Sequence, residues 1–139
     1  MLTRRTASSC HYNFHRHVVN DNWVERLWAV QDSILSRFHD GRPFEPLIQS
    51  LQSGAVDPMT ASFLVLDAAE ANIRLSRDVR EKRYYTLDHR RLWCMYQARC
   101  PKVQVRIKPQ LCGKDFSDFV NKAGVGRRVY ELRVRRARE

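Results

Sequence analysis

The apolar residues of this chain recur at two different periods, and that mixture constrains the fold more than any other feature. Phe44, Leu47, Ile48 and Leu51 stand three or four apart and end at Gly54, which predicts an amphipathic helix with a glycine stop. Val103, Val105 and Ile107 instead alternate with Gln104, Arg106 and Lys108, which predicts a half-exposed strand with a basic outer face. Leu92, Met95 and Tyr96 share one face of a second helix, opening at Asp88, running to about Arg99 and stopped by Pro101. A third helix, Lys114 to Ala123, turns Phe116, Phe119 and Val120 inward and is broken by Gly124 and Gly126. Shorter runs, Glu25 to Gln31, Ser62 to Leu66, Tyr84 to Leu87 and Val129 to Val134, read as strands, and Asp40-Gly41-Arg42-Pro43 reads as a turn. Residues 67–83 mix acids and bases with little apolar content, so they read as an exposed loop or a short charged helix.

The resulting order is strand, helix, strand, charged insert, strand, helix, strand, helix, with no internal repeat. At 139 residues that is one domain's length. The uncharged apolar stretches Met59 to Leu66 and Leu92 to Ala98 are far short of the ~20 apolar residues of a membrane-spanning helix. No segment has the hydrophobic centre of a secretory signal.

Net charge is +10, and its placement matters more than its size. Residues 1–22 carry +2, residues 23–98 have ten basic and ten acidic side chains, and residues 99–139 carry +8. The chain thus divides into a basic N-terminal arm (1–22), a central domain (23–126) whose first part is neutral, and a basic C-terminal tail (127–139). Arg outnumbers Lys 20 to 5, and the planar guanidinium matches phosphate in two bonds at once. A charge run can also serve only as a solubilising face. The functional alternative is contact with nucleic acid or an acidic protein surface, through Arg4, Arg5, Arg106, Lys108, Arg127, Arg128, Arg133, Arg135, Arg136 and Arg138.

The N terminus has no acid before Asp21 and is rich in Arg, Ser and His, as mitochondrial import sequences are. It is either such a segment or an arm docked on a partner. Cys10, Cys94, Cys100 and Cys112 form no C-x-x-C pair, so reduced thiols are expected rather than a disulfide framework. Cys10, His11, His15 and His17 could gather as metal ligands, but no second ligand pair stands at zinc-finger spacing, and no metal site or cofactor is assigned. Trp23, Trp28, Tyr84, Tyr85, Trp93, Tyr96 and Tyr130 are interspersed with base as RNA-stacking residues are. The spacing of Trp28, Trp93 and Tyr96 favours core burial instead.

The most specific segment is Tyr84-Tyr85-Thr86-Leu87-Asp88-His89-Arg90-Arg91-Leu92-Trp93. A strand ends, a helix starts at Asp88, and three potentially cationic residues fill its first turn. Cations there oppose the helix dipole at ~0.3–1 kcal/mol each, so something negative should compensate. One reading is a bound anion on Asp88, His89, Arg90 and Arg91, with backbone N–H groups and guanidinium forks converging on a phosphate. The other is compensation within the chain by Asp88, Asp32 or Asp40.

A strand followed by a helix that opens with a small or acidic residue, two variable positions and an arginine resembles the G-E-R-R box of ParB N-terminal domains and the G-C-H-R box of sulfiredoxin. The stretch Gln31-Asp32-Ser33-Ile34 through Phe38-His39-Asp40-Gly41-Arg42-Pro43 and the helix to Leu51 is similar to the first half of small ParB-like domains, some of which carry D-N-R-R-L. The resemblance spans about residues 26–108. It implies a compact α+β domain, with a mixed sheet of about four strands and three or so short helices, in which the box cradles nucleotide or backbone phosphate. Arg91 falls on the arginine shared by both boxes and Arg90 on the ParB arginine before it. His89 replaces the reactive cysteine of sulfiredoxin, Asp88 replaces the phosphate-approaching glycine, and the ParB glutamate is missing. No catalytic residue is therefore assigned.

Together these readings predict a non-enzymatic accessory or structural component of a large assembly, contacting RNA, ribosomal RNA foremost, or neighbouring proteins of a mitochondrial ribonucleoprotein. Cytoplasm or nucleus are the alternative compartments. The alternative functions are a nucleotide- or phosphodiester-binding switch or enzyme of ParB/sulfiredoxin type, such as a phosphohydrolase or nuclease, and an accessory subunit of a mitochondrial protein complex without nucleic-acid contact.

Overall fold

A computed structural model describes residues 20–136, and at its centre lies a strand that the charge pattern conceals. Residues 67–83 form most of a hairpin rather than a loop or helix. Strand β4 (Leu66–Arg74) turns at Leu75–Val79 and returns as β5 (Arg80–Thr86) in antiparallel register from Ala68 opposite Thr86 to Arg74 opposite Arg80. The apolar positions of β4 are mostly alanines, which are weak strand formers, so the period of two is present but quiet. Ala68, Ala69, Ala71 and Ile73 are buried, while Asn72 and Arg74 face solvent.

Around this hairpin run β1 (Asn20–Trp23), β2 (Trp28–Ala29), β6 (Lys102–Ile107) and β7 (Arg127–Arg128), in the order β1-β6-β4-β5-β2-β7. β1 is antiparallel to β6, β6 parallel to β4, β2 parallel to β5, and β7 antiparallel to β2. β3 (Ser33–Leu35) and β8 (Arg133–Arg135) make a separate parallel pair. The architecture is α+β, as expected. The main sheet has six strands rather than about four, the extra two being the two-residue β2 and β7.

Three helices among the described residues cover the sheet: α1 (Glu45–Ser53), α2 (His89–Gln97) and α3 (Lys114–Ala123). α1 starts with Pro46 in its first turn and ends at Gly54, whose φ of 83° is the left-handed cap that glycine adopts without strain. Its buried Ile48 and Leu51 join Leu92 and Met95 of α2 and Leu66, Val103 and Val105 of the sheet in the main core. Each fully buried aliphatic side chain contributes about 1.5–3 kcal/mol. On the opposite face, Val120 of α3 packs on Ala71, Ile73 and Tyr85.

α3 also closes an open sheet edge. β6 pairs with β4 only from Leu66 to Ala68, and beyond that the N–H groups of Glu70, Asn72 and Arg74 donate to Cys112 Sγ (3.2 Å), Ser117 Oγ (2.8 Å) and Asn121 Oδ1 (3.4 Å). Side chains thus take the place of a missing strand, which blunts an edge otherwise free to pair with another chain. Cys94 and Cys100 are free thiols; Cys112 is disulfide-bonded, against the expectation of reduced cysteines throughout.

The segment read as a tail from residue 127 is part of the fold as far as β8. Val129 and Leu132 are buried in the main core, and the Ser36 N–H donates to the Arg135 carbonyl at 2.9 Å. The charge density hid these two apolar anchors. The expected strand over Val129 to Val134 is a single 3-10 turn (Val129–Glu131) followed by β8, and the one over Glu25 to Gln31 reduces to a 3-10 turn (Val24–Arg26) and β2. Ser62–Leu64 is likewise a turn leading into β4. No helix among the described residues is long and apolar enough to cross a membrane.

Candidate functional site

β5 ends at Thr86 and α2 begins at His89, so the Asp88–Arg91 box lies at a strand-to-helix junction. The Thr86 hydroxyl accepts the Asp88 N–H at 2.9 Å and fixes the bend. Asp88 occupies the N-cap position without a side-chain capping bond. Its carboxylate instead lies 3.4 Å from Arg91 Nε, and Arg91 also donates to the Phe63 carbonyl at 2.5 Å. Burial raises the pKa of the Asp88 carboxyl above its ordinary value, with Arg91 acting in the opposite direction.

His89 does not present a cation. Its imidazole is 7% exposed, Nε2 accepts the Val30 N–H at 3.1 Å, and burial pushes its pKa down to about 4. The first turn of α2 therefore holds two cations at neutral pH, of which Asp88 neutralises one. The other internal candidates are engaged elsewhere: Asp32 pairs with Arg127 at 3.2 Å and Asp40 with Arg42 at 2.7 Å. Arg90 has no ion-pair partner among the described residues. It lines a groove of about 930 Å³ with Phe38, Pro43, Leu47, Phe63 and Arg91.

The basic residues proposed for nucleic acid fall into three groups. Arg106 and Lys108 share Asp67, at 3.0 and 3.7 Å, so half of that pair's charge is offset, and Arg127 is paired with Asp32. Arg128 and Arg135 are held in place: Arg128 donates to the Arg26 carbonyl at 3.0 Å and Arg135 to Ser33 Oγ at 2.7 Å. Arg133 and Arg136 are exposed and without an ion-pair partner among the described residues. Arg4, Arg5 and Arg138, with the Cys10, His11, His15 and His17 grouping, lie outside the described residues.

The aromatic residues separate cleanly. Tyr85 is fully buried, Trp93 packs at 5.6 Å on Phe44, and Trp28 is half-buried. Arg83 and Arg128 each stand 3.7 Å from the Trp28 ring centroid, leaving room for one guanidinium per face, so the indole is sandwiched. Trp23 and Tyr130 are left 47% and 54% exposed.

Those two rings flank a second groove, of about 900 Å³, at the other end of α2. Trp23 ends β1 and Arg26 the 3-10 turn after it, Tyr96 and Arg99 come from the end of α2 and just beyond, and Arg128 ends β7 with Tyr130 in the turn that follows. The Val24 N–H donates to the Pro101 carbonyl at 2.9 Å and ties the first wall to the second; Tyr96 and Tyr130 stand 6.3 Å apart between the second and third. Lys102 Nζ lies 4.8 Å from the Trp23 ring centroid. Glu25 is the acid in the lining. Arg26, Arg99 and Lys102 escape a reading by charge runs because they are scattered along the sequence. The usable signal was Arg99 itself, which follows the last turn of a helix where glycine is usual. Its φ is 63°.

The chain matches no protein-family model, no curated protein and no solved structure.

Proposed function

We propose that the chain is a non-enzymatic, RNA-contacting component of a larger ribonucleoprotein. The observation that carries this is where the uncompensated charge lies. Within the box, the place best suited to hold a reacting phosphate, His89 is a buried acceptor and Asp88 and Arg91 satisfy each other. Around the C-terminal end of α2 and along β8, Arg26, Arg99, Arg133 and Arg136 carry charge with no acidic partner among the described residues, as Arg74, Arg77 and Arg80 do at the hairpin tip. Unpaired guanidinium groups on a folded surface suit a phosphate backbone. The import-like N terminus makes the mitochondrion the compartment of this proposal.

A salt titration of RNA binding by the full chain tests it. Affinity should fall linearly in log–log form, and the double variant Arg133→Gln/Arg136→Gln should lower the slope by about two phosphates. Substitution is the right tool, because deleting residues 127–139 would also remove Val129 and Leu132 from the core. Salt-insensitive association unchanged in the double variant would reject RNA in favour of another partner.

One observation favours a second reading, a mononucleotide phosphate at the box: the N-terminal N–H groups of α2 lack a side-chain cap, and Arg90 beside them is unpaired. Calorimetry with nucleoside triphosphates decides it. Heat of binding that vanishes in Arg91→Ala supports it, and no heat with any nucleotide dismisses it.

A further inference from the structure

Two large aromatic side chains, Trp23 and Tyr130, stand half-exposed beside one concavity, whereas the other exposed rings, Phe63 and Phe119, lie apart from each other on different elements. Tyr96 stands beside Tyr130, their ring centroids 6.3 Å apart. The walls are stiffened rather than loose. Arg128 is fixed by its stack on Trp28 and by its bond to the Arg26 carbonyl, while its N–H donates to Glu131 Oε1 at 2.7 Å. The rim cations Arg26, Arg99, Arg128 and Lys102 outnumber the lining acid Glu25, so the groove attracts anions without being itself apolar.

Arg99 gives an independent indication. It follows Ala98 at the end of α2, where the Arg99 N–H bonds the Tyr96 carbonyl at 3.0 Å and the Cys100 N–H bonds the Met95 carbonyl at 2.9 Å, the hydrogen-bonded finish that usually employs glycine. A side chain in left-handed backbone is strained. Its cation does complement the C-terminal end of the helix dipole, but an arginine one residue earlier would do so without strain. The position that is strained is the position that places the guanidinium on the groove.

From this geometry we propose that the groove is a base-stacking site for single-stranded RNA. Bases lie against Trp23 and Tyr130, and Arg26, Arg99, Lys102 and Arg128 follow the phosphates. The pairing of flat rings with surrounding cations is the arrangement by which proteins hold unpaired strands, since every base offers a face and every linkage a charge. A duplex, whose base faces are already stacked, lacks what the rings need. The site deepens the RNA-contacting reading and rests on it.

The test is fluorescence anisotropy with the full chain and a labelled oligouridylate of about a dozen nucleotides, a length within the range such grooves accommodate. Trp23→Ala and Tyr130→Ala should each weaken binding between about fivefold and a hundredfold. Tyr130→Phe should stay within about twofold, because stacking needs the ring and not the hydroxyl. Arg77→Gln, at the hairpin tip away from the groove, is the charge control and should have little effect. Both rings are exposed, so the variants should keep the melting temperature of the parent chain, and a preserved melt validates the comparison. If Trp23→Ala shifts the melt, Tyr130→Ala alone carries the test.

Steep salt-dependent RNA binding that is unchanged in the ring variants overturns the stacking site and leaves the RNA-contacting reading standing. Tighter binding to duplex than to single strand overturns the site as well. Absence of binding to any RNA overturns both. Equal binding of polyglutamate, lost with the arginines but indifferent to the rings, would make the partner an acidic protein.

Discussion

Helix α2 ends in two grooves of similar volume, about 930 Å³ beside its first turn and about 900 Å³ beside its last, and they are furnished in opposite ways. At the first turn every charge but Arg90 has an answer nearby: Asp88 for Arg91, Asp40 for Arg42, and burial that keeps His89 neutral. At the last turn Arg26 and Arg99 have no acidic partner among the described residues, and two aromatic rings stay in solvent where the first-turn groove has one, Phe63. The difference teaches that a compact motif of arginines need not be where a chain's binding capacity lies. Of the two adjacent box arginines, Arg91 is paired with Asp88 and Arg90 is not. Those that surround the open groove come together only through the fold.

Four substitutions break or sharpen this contrast, in order of expected size. Leu92 is fully buried and anchors the helix between the grooves; Leu92→Ala should cost about 2–5 kcal/mol in denaturant unfolding and compromise both ends together. Next comes the acid sensitivity of the first-turn end. The unfolded chain protonates His89 near its ordinary value of 6.5, whereas the folded chain resists protonation until about pH 4. The unfolded state therefore binds more protons in that window. The His89 contribution is complete above pH 6.5 and is lost as pH falls toward 4, by up to about 3 kcal/mol. Chemical denaturation across that range should show the loss, and His89→Gln, which keeps an acceptor for the Val30 N–H, should flatten it.

Arg91→Ala should be milder, about 1 kcal/mol, from the lost bond to the Phe63 carbonyl and a less compensated Asp88. Last, Arg99→Gly should stabilise the fold by about 1 kcal/mol in thermal unfolding, by relieving left-handed strain, while weakening RNA binding. Opposite signs for stability and binding at one residue would mark the last-turn groove as built for something other than folding. A loss of stability in Arg99→Gly would mean that the side chain serves the fold.

The three helices and β6 were legible because their periods are carried by large side chains: Ile48 and Leu51, Leu92 and Met95, Val120, and Val103, Val105 and Ile107. The hairpin was not, because β4 alternates with alanine, whose small side chain gives little periodic signal yet lets α3 pack close. The fold of the C-terminal segment is concealed for a related reason, since Val129 and Leu132 are outnumbered by the arginines around them. At the box, residue spacing left anion binding and internal compensation equally open. What decides the share of each is the side-chain geometry of Asp88 and His89, which no spacing encodes. The aromatic groove is less legible: spacing leaves Trp23, Tyr84, Tyr85 and Tyr130 alike as stacking candidates although Tyr85 is fully buried, and the meeting of Trp23 and Tyr130 with Arg26, Arg99 and Arg128 depends on β1 pairing with β6 and on the 3-10 turn after β7 packing against α2.

The most direct measurement sets the two ends of α2 against each other in one assay. Binding of a labelled single-stranded RNA at fixed salt is compared for the parent chain, Trp23→Ala/Tyr130→Ala and Arg90→Ala. Loss of about tenfold or more in the aromatic variant, with less than about twofold change in Arg90→Ala, is the expected result. Full affinity in the aromatic variant together with a collapse in Arg90→Ala would place the binding capacity at the box and contradict it.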